Sequence, residues 1–233
     1  MNAGKVPKRY IAIVPVRDGS KGLPGKNIRS LAGVPLYVHA VTQGLRTVGR
    51  VLLSTDIPVI RQSDLPANVT LCVRPSELAT DDTPMERVVA HLIEEHDLAG
   101  QTLVLLQATS PLRTDEDVLT AIALHAEGRH DIVMSVVARD NGILKYGTLI
   151  GSDFSAMRDA TYCFSNRQSL PKVYGPNGAV YVFDADRFAA AEGFPSRCIG
   201  ATEMPANRSI DIDTINDFDS VEAKFIALRK IRK

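Results

Sequence analysis

Short apolar runs rich in Val, Ile and Leu alternate along this chain with stretches whose apolar residues recur at helical spacing. That rhythm predicts an α/β fold with a largely parallel sheet, because each crossover lays a helix against a strand that is already buried. YIAIVPV (10–16) reads as the first strand, RVLLST (50–55) as the second and 69–73 as a weaker third. TLVLLQ (102–107), apolar on both faces, is expected to be central, and DIVMSVV (131–137), GAVYVFD (178–184) and SIDID (209–213) follow. Between them, Leu36, Val38, Ala40, Val41 and Leu45 mark one helix, and Met85, Val88, Val89, Leu92 and Ile93 another.

Helix ends carry their own signals. Thr83 is expected to cap the second helix, with Pro84 in its first turn and Glu86 completing a capping box. Thr114 is the expected cap of a helix over 115–128. The final helix, near 217–230, takes Asp217 as its cap and Val221, Phe225, Ile226 and Leu228 as its apolar side. Residues 139–170 break the rhythm with Gly and Asp turns and no strong helix, and so read as an inserted hairpin or arm that can act as a lid or reach a partner chain. A single domain over 1–233 with that excursion follows from the length.

Charge narrows the choice of ligand. Lys plus Arg and Asp plus Glu both total 27, so no global field draws the chain to nucleic acid or an anionic membrane, and anion binding must be local. Cys72, Cys163 and Cys198 match neither a disulfide framework nor a zinc motif, and read as buried or partly buried free thiols. No apolar stretch is long enough to span a bilayer, and MNAGKVPKR lacks the apolar segment of a secretory signal, so a cytoplasmic protein is expected.

The local anion site has an obvious candidate. RDGSKGLPGKN (17–27) leaves the first strand with three glycines, three basic side chains and no hydrophobe except Leu23. Ligands of α/β sheets bind beyond the carboxyl ends of strands, and glycines let backbone N–H groups turn inward around phosphate oxygens. Arg17, Lys21 and Lys26 supply charge there, with Ser20 and Asn27 as hydrogen-bond donors. The segment fits neither a P-loop nor a dinucleotide fingerprint, and on composition alone a flexible solvated loop stays open. Late in the chain, Asp211 and Asp213 stand two apart, which on a strand turns both carboxylates to one face. A Mg²⁺ site and simple edge solvation both remain open on that spacing.

RDGSKGLPGKN with its strand and the LAGVPL that follows resembles the signature of the acylneuraminate cytidylyltransferase family, which makes CMP-sialic acid and its relatives. STD (54–56), LLQATSPLR (105–113), NRQSLPKVYGPNGAVY (166–181) and SIDIDTINDF (209–218) fit the same family in the same order. The resemblance implies a three-layer Rossmann-like nucleotidyltransferase fold, CTP as co-substrate, Mg²⁺ on Asp211 and Asp213, and catalysis by these with Arg17 and Lys21. It further implies nucleotide contacts from Gly19, Ser20, Lys26, Asn27, Thr109, Ser110 and Arg113, and acceptor contacts from Gln107, Asn177 and Tyr181. Lys145 and Arg167 would reach the acceptor carboxylate of a neighbouring subunit, so that 139–170 is a dimerisation arm in a homodimer with shared active sites.

Turn chemistry for Ser110, a turn amide for Asn177 and a core ring for Tyr181 stay open beside those roles. The departure lies at GFPS (193–196), where sialic acid enzymes offer neighbouring aromatic residues and this chain offers Phe194 beside Pro195. The acceptor is therefore expected to be an anionic small molecule, a nine-carbon 3-deoxy-2-ulosonic acid first and a small phosphonate second. A uridylyl- or guanylyltransferase and a noncatalytic nucleotide-binding protein are the readings outside this class.

Overall fold

The computed structural model describes residues 10–231, with side chains through Ala227; residues 1–9 and the Leu228 side chain lie outside them. In chain order, β1 (Tyr10–Pro15) leads through the glycine loop to a small hairpin, β2 (Ser30–Leu31) and β3 (Val34–Pro35), and then to α1 (Leu36–Thr47). Next come β4 (Val51–Thr55), β5 (Val69–Val73), α2 (Met85–Glu95), β6 (Thr102–Leu106), α3 (Asp115–Ala126) and β7 (Ile132–Arg139). The arm holds a hairpin of β8 (Gly147–Ile150) and β9 (Asp153–Ala156), after which β10 (Val173–Asp184), α4 (Ala185–Ala190), β11 (Ile199–Glu203) and α5 (Ile215–Ile231) complete the chain.

Seven of these strands form one sheet in the order β11-β7-β10-β6-β1-β4-β5, with β6 in the middle as its two apolar faces require. Alternate residues of each strand feed opposite layers. Ala12, Val14, Val104 and Leu106 pack with Ala40 and Val41 of α1 and with Val118, Ala121 and Ile122 of α3. Ile11, Ile13, Leu103 and Leu105 pack with Val89 and Leu92 of α2 and with Phe188 of α4. The result is the expected three-layer arrangement. α3 starts where expected, because the Thr114 hydroxyl accepts from the Asp117 N–H while the Asp117 carboxylate accepts from the Thr114 N–H.

Several expectations are corrected. GAVYVFD does not resume the parallel rhythm: it is the second half of a strand that starts at Val173 and runs antiparallel to both β6 and β7, with a register shift between Pro176 and Tyr181. SIDID is not a strand; β11, which pairs parallel to β7, takes the edge instead. Thr83 does not cap α2, because its hydroxyl is bonded to the Thr80 hydroxyl at 2.7 Å and to the Glu77 carbonyl, and Pro84 takes the cap position. Asp217 lies inside the first turn of α5, where its carboxylate accepts from the N–H and hydroxyl of Thr214 at 2.8 and 2.7 Å and its own N–H donates back to Thr214. Cys72 is buried and Cys163 partly so, but Cys198 is exposed. Among the described residues no helix is long and apolar enough to cross a membrane.

Candidate active site

Chain order reverses between β1 and β6: β4 and β5 extend the sheet on one side of β1, and the chain then returns to pair β6 on the other. At such a switch point the loops leaving the two strands diverge and open a crevice beyond their carboxyl ends. A cleft of about 350 Å³ lies there, lined by Pro15, Gln107 and Ala108, by Arg17, Ser20, Lys21, Gly22, Lys26 and Asn27 of the glycine loop, and by Thr109, Asp211 and Asp213.

The glycine loop is anchored at buried Ser20, Leu23 and Asn27, while Asp18, Gly19, Lys21, Gly22 and Pro24 between them stay exposed. Leu23, its one hydrophobe, is buried in a third apolar cluster with Leu31, Leu36, Leu112, Ile212, Phe218 and Val221. The buried Asn27 donates from Nδ2 to the Arg17 carbonyl at 2.9 Å, closing the loop on itself. Gly25, at φ 66°, turns the chain into the short helical turn Lys26–Ile28. Ile212 sits in the same cluster as Leu23 and splits Asp211 from Asp213, so an irregular segment achieves what a strand was expected to do, with the apolar residue inward and both carboxylates on the cleft.

Loop and carboxylates are locked together. Lys26 Nζ donates to the Ile212 carbonyl at 2.7 Å and to Asp213 Oδ1 at 3.1 Å, and the Ile212 N–H donates to the Thr109 carbonyl at 2.9 Å. Gly22 passes so close that a Cβ there would stand 2.4 Å from the Asp213 carbonyl oxygen, a distance only glycine permits. Asp211 is reached by water yet enclosed by the cleft walls. Desolvation raises its pKa above the ordinary carboxylate value, opposed by a hydrogen bond from Thr109, and Asp213 and Asp217 add repulsion while Lys26 lowers it. Two hard oxygen donors lining one cleft suit a divalent cation such as Mg²⁺ that takes its remaining ligands from substrate and water. Among the described residues no group of three or more His, Cys, Asp or Glu side chains is arranged to hold a metal.

Gln107 lines the cleft. Its Oε1 would lie 2.7 Å from a Cβ at Gly178, where φ is 74°, so only a glycine leaves room for that amide. Tyr181 stacks on Phe194 with ring centroids 5.9 Å apart, and burial, with Asp211 nearby, raises its pKa. Phe194 also meets Phe183 and Phe188 edge-on, which tucks it against the core, and neither Tyr181 nor Phe194 lines the cleft as expected.

Other expected site residues are not brought to the cleft. Arg113 is buried, with Nη1 donating to the Gln107 carbonyl at 3.2 Å and to the Ala179 carbonyl at 2.5 Å, and Nε to Gln43 Oε1 at 2.7 Å. It braces the turn after β6 from behind, and burial pushes its pKa down to about 10. Ser110 is buried and does not line the cleft. Asn177 is buried too. Its Oδ1 accepts from Ser135 at 2.6 Å and its Nδ2 donates to Ser209 at 2.9 Å, tying the β10 bulge to the segment that carries the carboxylates. Gly19, at φ 66°, shapes the loop outside the lining. Lys145 donates to the Ser165 carbonyl at 2.6 Å and Arg167 pairs with Asp140, both within the arm.

Two residues went unnoticed in the sequence. Arg74 lines the cleft, directly after β5 as Arg17 follows β1; it is buried, donates to the Ser54 hydroxyl and carbonyl at 3.1 and 3.0 Å, and has its pKa lowered to about 10, chiefly by burial. Asp81 pairs with both Arg17 and Lys21. The position of Arg74 at a strand end was a usable signal; the partnership of Asp81, formed across the fold, left none.

A cytidylyltransferase family profile matches residues 11–183. The chain is 29% identical to an N-acylneuraminate cytidylyltransferase of Streptococcus agalactiae over 89% of its own length and 51% of the relative's, so it spans about half the length of the first curated relatives it matches. It is 29% identical to the CMP-N,N'-diacetyllegionaminic acid synthase of Legionella pneumophila, covering 92% of this chain and 95% of that one. A pseudaminic acid cytidylyltransferase of Campylobacter jejuni is 27% identical over 91% and 94%. In fold, the chain is similar to a CMP:2-keto-3-deoxy-manno-octonic acid synthetase solved with CTP, with a TM-score of 0.67 at 16% identity over 94% of this chain and 98% of the other. The chain belongs to the cytidylyltransferase family, among its acylneuraminate-type members.

Proposed function

We propose that the chain transfers a cytidylyl group from CTP to the hydroxyl of a 3-deoxy-2-ulosonic acid of the sialic acid type. The acceptor oxygen bonds to the α-phosphorus, the bond to the β-phosphate oxygen breaks, and pyrophosphate leaves. The observation that supports this best is the seam between β1 and β6, where the basic loop and the Asp211–Asp213 segment, bonded to each other, line one cleft. Such a reaction asks mainly for alignment and for cations where charge develops on the leaving group.

Asp211 and Asp213 are the residues to hold Mg²⁺, which when bound neutralises phosphate charge and eases deprotonation of the acceptor hydroxyl. Arg17 and Lys21 meet the departing pyrophosphate, and Ser20 and the loop backbone hold its oxygens. Lys26 keeps the loop against the carboxylates. Arg74, beyond β5, is placed to read the nucleotide. Gln107 and Tyr181 flank the acceptor side, next to Asp211.

The second half of the proposal concerns the arm. Tyr146, Leu149, Ile150, Phe154, Met157 and Phe164 are all exposed on it, Phe164 at 90%. A patch of that kind calls for a partner, and a second copy of this chain is proposed, bringing Lys145 and Arg167 to its neighbour's acceptor. A CTP-consuming reaction of this kind belongs in the cytoplasm.

Pyrophosphate release with CTP and Mg²⁺ across a panel of acceptors tests the proposal. Sialic, deaminated sialic, legionaminic and pseudaminic acids should include the best substrate. Turnover of phosphonoformate or an aminoalkylphosphonate alone would overturn the nine-carbon acceptor and keep cytidylyl transfer. Preference for UTP or GTP, or no release with any acceptor, would overturn the transfer itself.

A further inference from the structure

Each cation of the glycine loop that faces the cleft already has a carboxylate. Lys26 is paired with Asp213, one of the two acidic residues lining the cleft. Arg17 and Lys21 share Asp81, which belongs to the polar stretch before α2 and lies outside the lining. One Asp81 oxygen takes Arg17 Nη2 and the other takes Lys21 Nζ at 3.0 Å, so a single carboxylate spans two cations as a phosphate group does. Arg17 and Lys21 repel one another, and Asp81 is the group that lets both point the same way.

Resting on the reading of this cleft as a polyphosphate site, we propose that Asp81 is a positioning residue: a resident counter-anion that holds Arg17 and Lys21 in place in the empty cleft and is exchanged for phosphate oxygens on binding. The exchange is selective by charge count. A pyrophosphate or triphosphate group brings enough negative charge to displace one carboxylate from two cations, whereas a weaker anion gains little by it. It is also reversible by design, because the carboxylate returns to the same cations as pyrophosphate departs. Asp82, its neighbour, carries the same charge and acts on Lys21 through space, but makes no ion pair among the described residues, so it is the control for charge without contact.

The test compares wild type, Asp81→Asn and Asp82→Asn in calorimetric titrations with inorganic pyrophosphate, followed by measurement of KM for CTP. Asp81→Asn is expected to bind pyrophosphate about three- to tenfold more tightly than wild type, the scale of losing an exposed competing pair. Its binding should also weaken more steeply with salt, and its KM for CTP should fall. Unchanged or weaker pyrophosphate binding in Asp81→Asn overturns the proposal, as does equal tightening in Asp82→Asn, which would be a general charge effect. Absence of pyrophosphate binding in all three proteins overturns it as well. Failure of cytidylyl transfer shows separately, as CTP binding no better than other triphosphates while the pyrophosphate titrations keep their order.

Discussion

The cleft and the arm solve opposite problems. In the cleft, Leu23 and Ile212 are buried together, Lys26 is bonded to the carboxylate segment, and Arg17 and Lys21 share one carboxylate. On the arm, among the described residues, β8 and β9 pair only with each other, the apolar side chains are exposed, and the side chains of Lys145 and Arg167 find partners only within the arm. One region is closed within a single chain and the other leaves its apolar face open. Under the proposed function, this difference assigns the nucleotide half of the reaction to one chain and the acceptor half to a second surface.

The largest effect that would break this contrast is expected at the carboxylates. Asp211→Asn should lower pyrophosphate release with CTP at least about a hundredfold, the scale of removing one preorganised charge partner. Its melting temperature and oligomeric state should stay near wild type. Activity within a few fold of wild type would show that the cleft does not depend on that carboxylate.

The arm should respond in the opposite sense. Leu149→Asp combined with Phe164→Asp is expected to raise the dimer dissociation constant by about tenfold or more in sedimentation experiments, since buried apolar anchors dominate such interfaces. CTP binding to the resulting monomer should be unchanged. A dimer of wild-type affinity would leave the arm without the role proposed for it.

The smallest effect concerns the cap behind the carboxylate segment. Thr214→Ala is expected to cost about 1 kcal/mol of stability at neutral pH. The Asp217 carboxyl is held below the usual carboxylate range, first by the Thr214 hydroxyl and then by the Thr214 N–H. A group depressed in this way stabilises the fold above its unfolded pKa of about 4 and ceases to do so as pH falls through the folded value. The melting temperature gap between wild type and Asp217→Asn should therefore be full at neutral pH and close in acid. A gap that stays constant with pH would assign the effect to something other than the carboxylate's charge.

Much of this was legible in the sequence, for identifiable reasons. The strands and their layers followed from Val and Ile runs, the start of α3 from Thr114, and the cleft from glycines placed straight after β1. The direction of β10 was not, because an apolar run has no polarity and reads the same parallel or antiparallel. Ser110 and Arg113 follow β6 in a turn and Asn177 sits at the irregularity within β10, and their residue types cannot say whether they face ligand or backbone. The backbone carbonyls of Gln107 and Ala179 claim Arg113, and the hydroxyls of Ser135 and Ser209 claim Asn177. SIDID failed as a strand yet kept its alternation, because Ile212 is buried and Ile210 packs against the same cluster, which turns Asp211 and Asp213 the other way.

The position of β1 also bears on how the chain folds. Ala12 pairs with Val51 on one side and with Val104 on the other, so the nearer contact can form early and the farther one must wait for a much longer stretch to close. The cleft lies on the later seam. A partly folded chain therefore has no pocket to offer, and nucleotide in the cell would favour only chains whose sheet has already been completed on both sides of β1.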